Sequence, residues 1–278
     1  MRRMASVLKQ DPAFENIPSI KAKTLRINLN PVIYGTFAEI GAGQETARNF
    51  FRSGGASGTI AKAMSAYDNK FSYAIYGSEK NGRYVTQSRL KKMLSYEMTL
   101  MEERITRDDH PERLFFTYAN TVATIDFSKR YKGHGWVGIM FQLDPNQKEY
   151  DEIILHLRFK QNEARLQQET LGIIGVNLIY GAFYKYHKPR KLLKYLYDHI
   201  DRDTVEVDMV NFSGPNFKNV DNRLISLQLI RNDMTDAVMF GPDGNNLLPA
   251  AVLYKKNILA LRGSFRPVTK VNMDMFEK

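Results

Sequence analysis

Apolar and polar positions change period several times along the chain, and each change marks an element. Residues 1–23 are polar and interrupted by Pro12 and Pro18, which predicts a loosely held tail. From Thr24, the residues Leu25, Ile27 and Leu29 alternate with polar neighbours, the period of a short strand that ends before Pro31. Residues 45–52 and 59–68 are predicted as short helices, each preceded by glycines. Over 86–106, Leu90, Met93, Leu94, Met98 and Met101 recur at helical spacing and form a stripe that a core would bury.

Beyond residue 110 the pattern turns to strands. Segments 114–126, 135–143 and 152–159 are rich in β-branched and aromatic residues and are bounded by Asp-Asp-His-Pro, Gly-His-Gly and Asp-Pro-Asn turns. Residues 163–183 predict a helix apolar on most sides, where Gly172, Gly175 and Gly181 would let another backbone approach closely. A helix over 189–199 starts with proline at its first position, followed by a strand over 205–212, a helix over 222–232 and a strand over 237–240 closed by Gly-Pro-Asp-Gly. A last strand is predicted at 257–261, then a glycine turn and a helix from about Lys270. This mixed order predicts an α/β or α+β fold, a mixed sheet flanked by helices, with an incomplete βα unit at the carboxyl end. The implied division is a tail (1–23), an α/β domain (24–250) and the opening of a second domain, cut short, in 251–278.

Composition narrows the chemistry. With 278 residues, 43% apolar and 12% aromatic, the chain can bury a substantial core, and disorder as a whole-chain description is excluded. The absence of cysteine excludes disulfides, thiolate metal sites, iron–sulfur clusters and cysteine nucleophiles. The start, Met-Arg-Arg-Met-Ala-Ser-Val-Leu, has no apolar run behind its arginines, and the longest apolar stretch, 171–183, holds Asn177 and is too short for a membrane span. A cytoplasmic protein with no membrane association is expected.

The net charge of +10 is concentrated in residues 1–100, which carry 15 Lys+Arg against 7 Asp+Glu. No run of five or six basic residues occurs, and no nucleic-acid-binding motif is legible, so nucleic acid is an open but less favoured partner.

The basic third also contains the densest glycines: Gly35, Gly41, Gly43, Gly54, Gly55 and Gly58, with Arg48 and Arg52 among them. Glycine turns that open helices present amides to an anion, so Gly41, Gly43, Arg48, Arg52, Gly55 and Gly58 are candidate phosphate contacts. Neither turn is a P-loop and neither completes the dinucleotide fingerprint, and tight turns beside close helix packing would look the same. Further on, His156 and Arg158 lie two apart on a predicted strand, as do Glu206 and Asp208, whose carboxylates would sit about 7 Å apart. If those strands are neighbours, the four residues could form an acid–base centre, or Glu206 and Asp208 could hold a hard metal such as Mg2+. A half-exposed strand alternates in the same way without any function. His134, between two glycines, is expected in a turn, exposed to solvent or to a ligand.

The segment Gly263-Ser-Phe-Arg-Pro-Val-Thr269 resembles the first βα turn of the nicotinamide and nicotinate mononucleotide adenylyltransferases, Gly-Ser-Phe-x-Pro-x-(Thr/His)-x-x-His. In that family the turn cups the ATP phosphates and the final histidine stabilises charge in adenylyl transfer. The resemblance implies phosphate contacts at Gly263, Ser264 and Thr269, with Asn272 at the histidine position. Through Tyr34-Gly-Thr-Phe-Ala-Glu-Ile-Gly-Ala-Gly-Gln44, Val205-Glu-Val-Asp-Met209 and the glycine-rich stretch 171–183, the whole chain is similar to a family of longer bacterial proteins. Those proteins are labelled nicotinate-nucleotide adenylyltransferase or TonB-dependent receptor; this chain has no plug-and-barrel strand series. The resulting expectation is a nucleotide- or phosphometabolite-binding protein of nucleotidyltransferase type that uses Mg2+. A non-catalytic scaffold, with a basic face for nucleic acid or an acidic partner, is the alternative.

Overall fold

The computed structural model describes residues 17–79, 82–108, 110–263 and 265–277; most of the expected tail, and Ser264, lie outside them. The first element is a helix, α1 (Ile20–Asn28), whose N-cap Ser19 accepts from the Ala22 N–H. A strand was expected here. The buried residues are Lys23, Thr24, Ile27 and Asn28, a helical spacing, whereas Leu29 is 65% exposed. Polar residues on the buried stripe hid the helix from a reading of apolar positions. Lys23 is buried because its ammonium reaches Asp198 and, at 2.8 Å, the Asn177 Oδ1.

After α1 come β1 (Ile33–Gly41), α2 (Glu45–Ser53), β2 (Ile60–Ala66), α3 (Asn69–Tyr76) and α4 (Gln87–Arg104). Next are β3 (Leu114–Ala123), β4 (His134–Phe141), β5 (Asp151–Phe159), α5 (Ala164–Tyr184) and α6 (Pro189–Leu196). The chain continues through β6 (Val205–Ser213), α7 (Asn222–Arg231), β7 (Met239–Phe240), β8 (Asn246–Leu247), α8 (Pro249–Val252) and α9 (Lys270–Glu277). The helix expected at 59–68 is the strand β2, whose residues alternate between half-buried and exposed. The strand expected at 257–261 does not form: Ile258 and Leu259 are 57% and 70% exposed without a partner strand among the described residues.

The sheet is mixed and six-stranded, in the order β2-β1-β3-β4-β5-β6. β1 runs parallel to β2 and β3, and the remaining pairs are antiparallel. Helices flank the sheet, as the pattern predicted. One face, with Phe37, Phe116, Tyr118, Val137 and Leu155, packs with apolar residues of α1, α2, α5, α6 and α7. The other, with Ala38, Ala119, Trp136 and Ile154, is covered by Leu90, Met93 and Leu94 of α4, the stripe read from the sequence. No helix among the described residues is long and apolar enough to cross a membrane.

The strand directions bring the ends of β1, β2, β3 and β5 and the starts of β4 and β6 to a single edge of the sheet, called here the carboxyl edge.

Helix α5 approaches α2 closely because of its glycines. A Cβ on Gly175 would stand 2.3 Å from Thr46 Oγ1 and 2.5 Å from the Tyr118 hydroxyl, and one on Gly172 would stand 2.7 Å from Glu45 Cβ. Alanine is the better helix former by about 1 kcal/mol, but overpacking costs about 1–3 kcal/mol. Gly175→Ala is therefore expected to lower the midpoint of thermal unfolding, the reverse of its effect in an isolated helix; an unchanged or raised midpoint would show the approach to be slack.

Candidate functional site

Two cross-strand rows at the carboxyl edge assemble the charged residues on the face covered by α4. In the outer row His134 stands opposite Arg158, and Arg158 opposite Glu206. In the inner row Trp136 stands opposite His156, and His156 opposite Met209. Between His156 and Leu157 the register of β5 against β6 slips by one residue, leaving Asp208 as the extra residue of a bulge. Its Oδ1 lies 2.6 Å from His156 Nδ1. His156 Nε2 in turn lies 3.2 Å from His134 Nδ1.

With Asp208 Oδ1 as the acceptor, His156 Nδ1 carries the hydrogen, and His156 Nε2 is then the acceptor for His134 Nδ1–H. This order of tautomers, assigned from the hydrogen-bond network, leaves the outer His134 nitrogen, Nε2, with a lone pair. His156 and Asp208 are buried, at 2% and 6% exposure, while His134 is partly open to solvent. The His156 ring also packs on Trp136, with centroids 4.8 Å apart. Burial, followed by the neighbouring His156, pushes the His134 pKa down to about 4; Arg158 and Arg83 push the same way and Asp208 opposes them.

Arg158 is half exposed and lies 3.4 Å from Glu206, whose other oxygen accepts from the Thr235 hydroxyl at 2.7 Å. Arg83 arrives from the segment before α4. The Thr121 hydroxyl donates to the Tyr84 carbonyl at 2.7 Å and holds that segment against the end of β3. The Arg83 guanidinium lies 4.4 Å from the centre of the Tyr254 ring.

The structure thus brings His156, Arg158, Glu206 and Asp208 together, on the neighbouring strands that the sequence argument required. It adds His134, expected in a turn but forming the first residue of β4. The flanking glycines serve packing: a Cβ on Gly133 would meet Gln167 Oε1 at 2.2 Å, and one on Gly135 would meet Val122 Cγ2 at 2.4 Å. The period-two set His134, Trp136 was the available signal for a strand, and the glycines masked it. Arg83 and Thr235 had no signal, since only the fold brings their loops to this edge.

The two carboxylates expected to hold Mg2+, Glu206 and Asp208, are partly engaged by neighbouring side chains. Asp208 Oδ1 is engaged by His156, and both Glu206 oxygens are engaged by Thr235 and Arg158. No group of three or more His, Asp or Glu side chains among the described residues could hold a metal ion.

The glycine turns are not brought together. Gly41 and Gly43 lie at the carboxyl edge, before α2; Gly55 and Gly58 lie at the other end of α2, around a three-residue 3-10 turn (Ala56–Gly58) that leads straight into a strand and is too short to direct a row of amides at an anion. Gly41, at φ +80°, and Gly43 are required by packing, since a Cβ would stand 2.0 Å from the Val122 carbonyl and 1.9 Å from Asn120 Oδ1. The Ala47 N–H at the start of α2 bonds the buried Glu39 carboxyl, whose pKa burial raises to about 8. A carboxyl group therefore occupies the place expected for a phosphate. Arg48 is exposed and pairs with Glu45, and Arg52 is exposed on the last turn of α2.

At the carboxyl end, Gly263 is exposed and Ser264 lies outside the described residues. Thr269 and Asn272 cap α9: the Asn272 side chain accepts from the Thr269 N–H at 2.8 Å. Asn272 thus has a structural use at the position where the adenylyltransferase pattern has histidine. A cleft of about 410 Å³ lined by Lys188, Arg190, Lys191, Asp221, Leu224 and Ile225 contains none of the candidate residues.

No protein-family model matches the chain, and no curated protein does. Among solved structures, the chain is similar to a competence-damaged protein (CinA) superfamily protein from Enterobacter cloacae, with 10% identity and a TM-score of 0.42 over 63% of this chain and 98% of that one. A competence or damage-inducible protein from Enterobacter asburiae has 11% identity and a TM-score of 0.42, over 60% of this chain and 99% of that one. The competence/damage inducible protein CihA from Agrobacterium tumefaciens has 14% identity and a TM-score of 0.37, over 66% and 100%. Likenesses this weak carry no inference about activity or ligand.

The depressed His134 pKa makes stability depend on pH. Between the ordinary value of 6.5 and about 4 the unfolded chain binds the proton that the folded chain refuses. The stability tied to neutral His134 is thus present above about pH 6.5 and lost as pH falls toward 4, by up to about 3 kcal/mol. Urea unfolding across this range should show a smaller acid loss for His134→Gln than for the native chain; equal losses would mean that His134 titrates normally.

Proposed function

We propose that the carboxyl edge binds a phosphorylated small molecule of nucleotide type and that His134 is the group that meets its phosphate. The support is the chain Asp208–His156–His134, which ends on an outward-facing imidazole nitrogen beside Arg158 and Arg83. In the free protein His134 is neutral, for the reasons given above. A bound phosphate brings negative charge to within contact distance and raises its affinity for a proton. The imidazolium that results is supported by Asp208 through His156, and with the two arginines it neutralises charge on a transferring phosphoryl group. Phosphoryl and nucleotidyl transfers need positioning and charge neutralisation more than covalent chemistry.

This reading agrees with the nucleotidyltransferase expectation in substrate class and moves the phosphate contacts from the glycine turns to Arg158, Arg83 and His134. Magnesium enters it as the companion of nucleotide phosphates. Nicotinate mononucleotide is included among the ligands to be tested because of the sequence resemblance.

Calorimetry with ATP, NAD and nicotinate mononucleotide is expected to show binding of at least one, about tenfold weaker in Arg158→Ala and unchanged in Arg48→Ala. Histidine resonances followed by NMR should show the His134 titration midpoint rising when that ligand is present. Absence of binding to the folded chain, or binding indifferent to both Arg158→Ala and His134→Gln, would overturn the reading.

A further inference from the structure

The connection between β3 and β4 carries a group of side chains that folding does not explain. Phe127 is fully exposed, at 106%, and Tyr131 is 75% exposed. Lys129 and Arg130 lie between them and Lys132 follows Tyr131; all three are also exposed, and the next residue but one after Lys132 is His134. An exposed phenylalanine ring loses the stabilisation of burial and gains nothing from the fold in return.

The turn has a defined conformation. The Asp126 carboxylate accepts from the Tyr131 N–H at 2.8 Å and from the Ser128 hydroxyl, and the Lys129 N–H bonds the Asp126 carbonyl at 2.9 Å. At the base, Gln167 of α5 accepts from the Ile125 N–H at 2.8 Å. The only acidic residue in the turn, Asp126, is therefore occupied in shaping it, while three cations and two rings face solvent. Arg158 and Lys160, at the end of β5, are exposed at the same edge of the sheet. Tyr67, 77% exposed, follows the end of β2 at this edge, two strands from β3.

Mononucleotide sites are concave and bury most of their ligand, whereas these rings stand on an outward turn. Cations interspersed with open aromatic faces suit a chain whose phosphates repeat and whose bases are free to stack. We infer that this edge binds single-stranded nucleic acid, with bases stacked on Phe127 and Tyr131 and backbone phosphates against Lys129, Arg130, Lys132 and Arg158. A duplex has its bases already stacked and offers no face to the two rings. The inference rests on the reading of the edge as a phosphate site and extends it from a mononucleotide to a polymer.

The test is fluorescence anisotropy of the full chain with a labelled 15-nucleotide single-stranded RNA or DNA of mixed sequence, with the matching duplex and phosphatidylserine vesicles as competitors. Binding is expected to be about tenfold weaker for each of Phe127→Ala and Tyr131→Ala. Replacing Lys129, Arg130 and Lys132 by glutamine should lower the salt slope of binding by about two. The duplex should compete poorly. All these positions are exposed, so the variants are expected to fold as the native chain does. Equal affinity for single strand and duplex, unchanged binding in both aromatic variants, or displacement by vesicles alone would overturn the inference. Calorimetry on the same samples separates the two proposals. Mononucleotide binding that depends on Arg158, with no oligonucleotide binding, refutes only the polymer; failure of both ligands refutes the phosphate site as well.

Discussion

A sheet covered by helices on both faces leaves no water for the polar side chains in its middle, and this constraint organises much of the molecule. Every such group needs a partner within the protein or loses the hydration it had when unfolded. The pairs that meet this need recur throughout. Lys23 is held by Asp198 and Asn177; Glu97 by Lys62 and by the Tyr76 hydroxyl, the latter at 2.6 Å; Thr46 by the Tyr118 hydroxyl at 3.0 Å. Most of these join elements that are not consecutive in the chain, so satisfying the groups also fixes which helix packs where.

The same constraint builds the candidate site. His156 lies in the inner row of the sheet, where an unpaired imidazole would be costly, and the bulge in β6 supplies Asp208 to one nitrogen and leaves the other to His134. His134 belongs to the outer row, where the sheet ends and solvent begins. The relay therefore runs from dry interior to open edge along a single line of hydrogen bonds. A buried histidine and a partly exposed one differ here by one row of the sheet, about 7 Å along a strand.

Glycines have two separable uses in this chain. Gly41, Gly43, Gly172 and Gly175 allow backbones and side chains to approach closer than a Cβ permits, whereas Gly54, at φ +81°, and Gly58 meet nothing within 4 Å. Density of glycine in the sequence does not distinguish these uses, which is why the basic third looked like a phosphate cradle. Charge misled in a similar way: the exposed cations around His134 belong mostly to the middle third, where acidic residues elsewhere in the fold cancel them in the count.

Periodicity along the chain was enough to set the elements whose spacing is clear. The apolar stripe of α4, the strands β3 to β6 and the buried α5 follow from side-chain alternation and helical spacing, which are local properties. Their mixture was enough for a mixed sheet flanked by helices. The tertiary structure decided what locality cannot carry. Glu206 and Asp208 share a strand, so their proximity was legible; that the strand pairs with β5, and that a bulge turns Asp208 onto His156, depends on register between segments some 50 positions apart. In α1 the buried stripe contains a lysine, and its burial makes sense only once Asp198 is beside it. In β2 a sequence with helical features became a strand because the edge of β1 was open to it. Long-range pairing overrode local preference in these places because a burial partner contributes more than the difference between two local conformations.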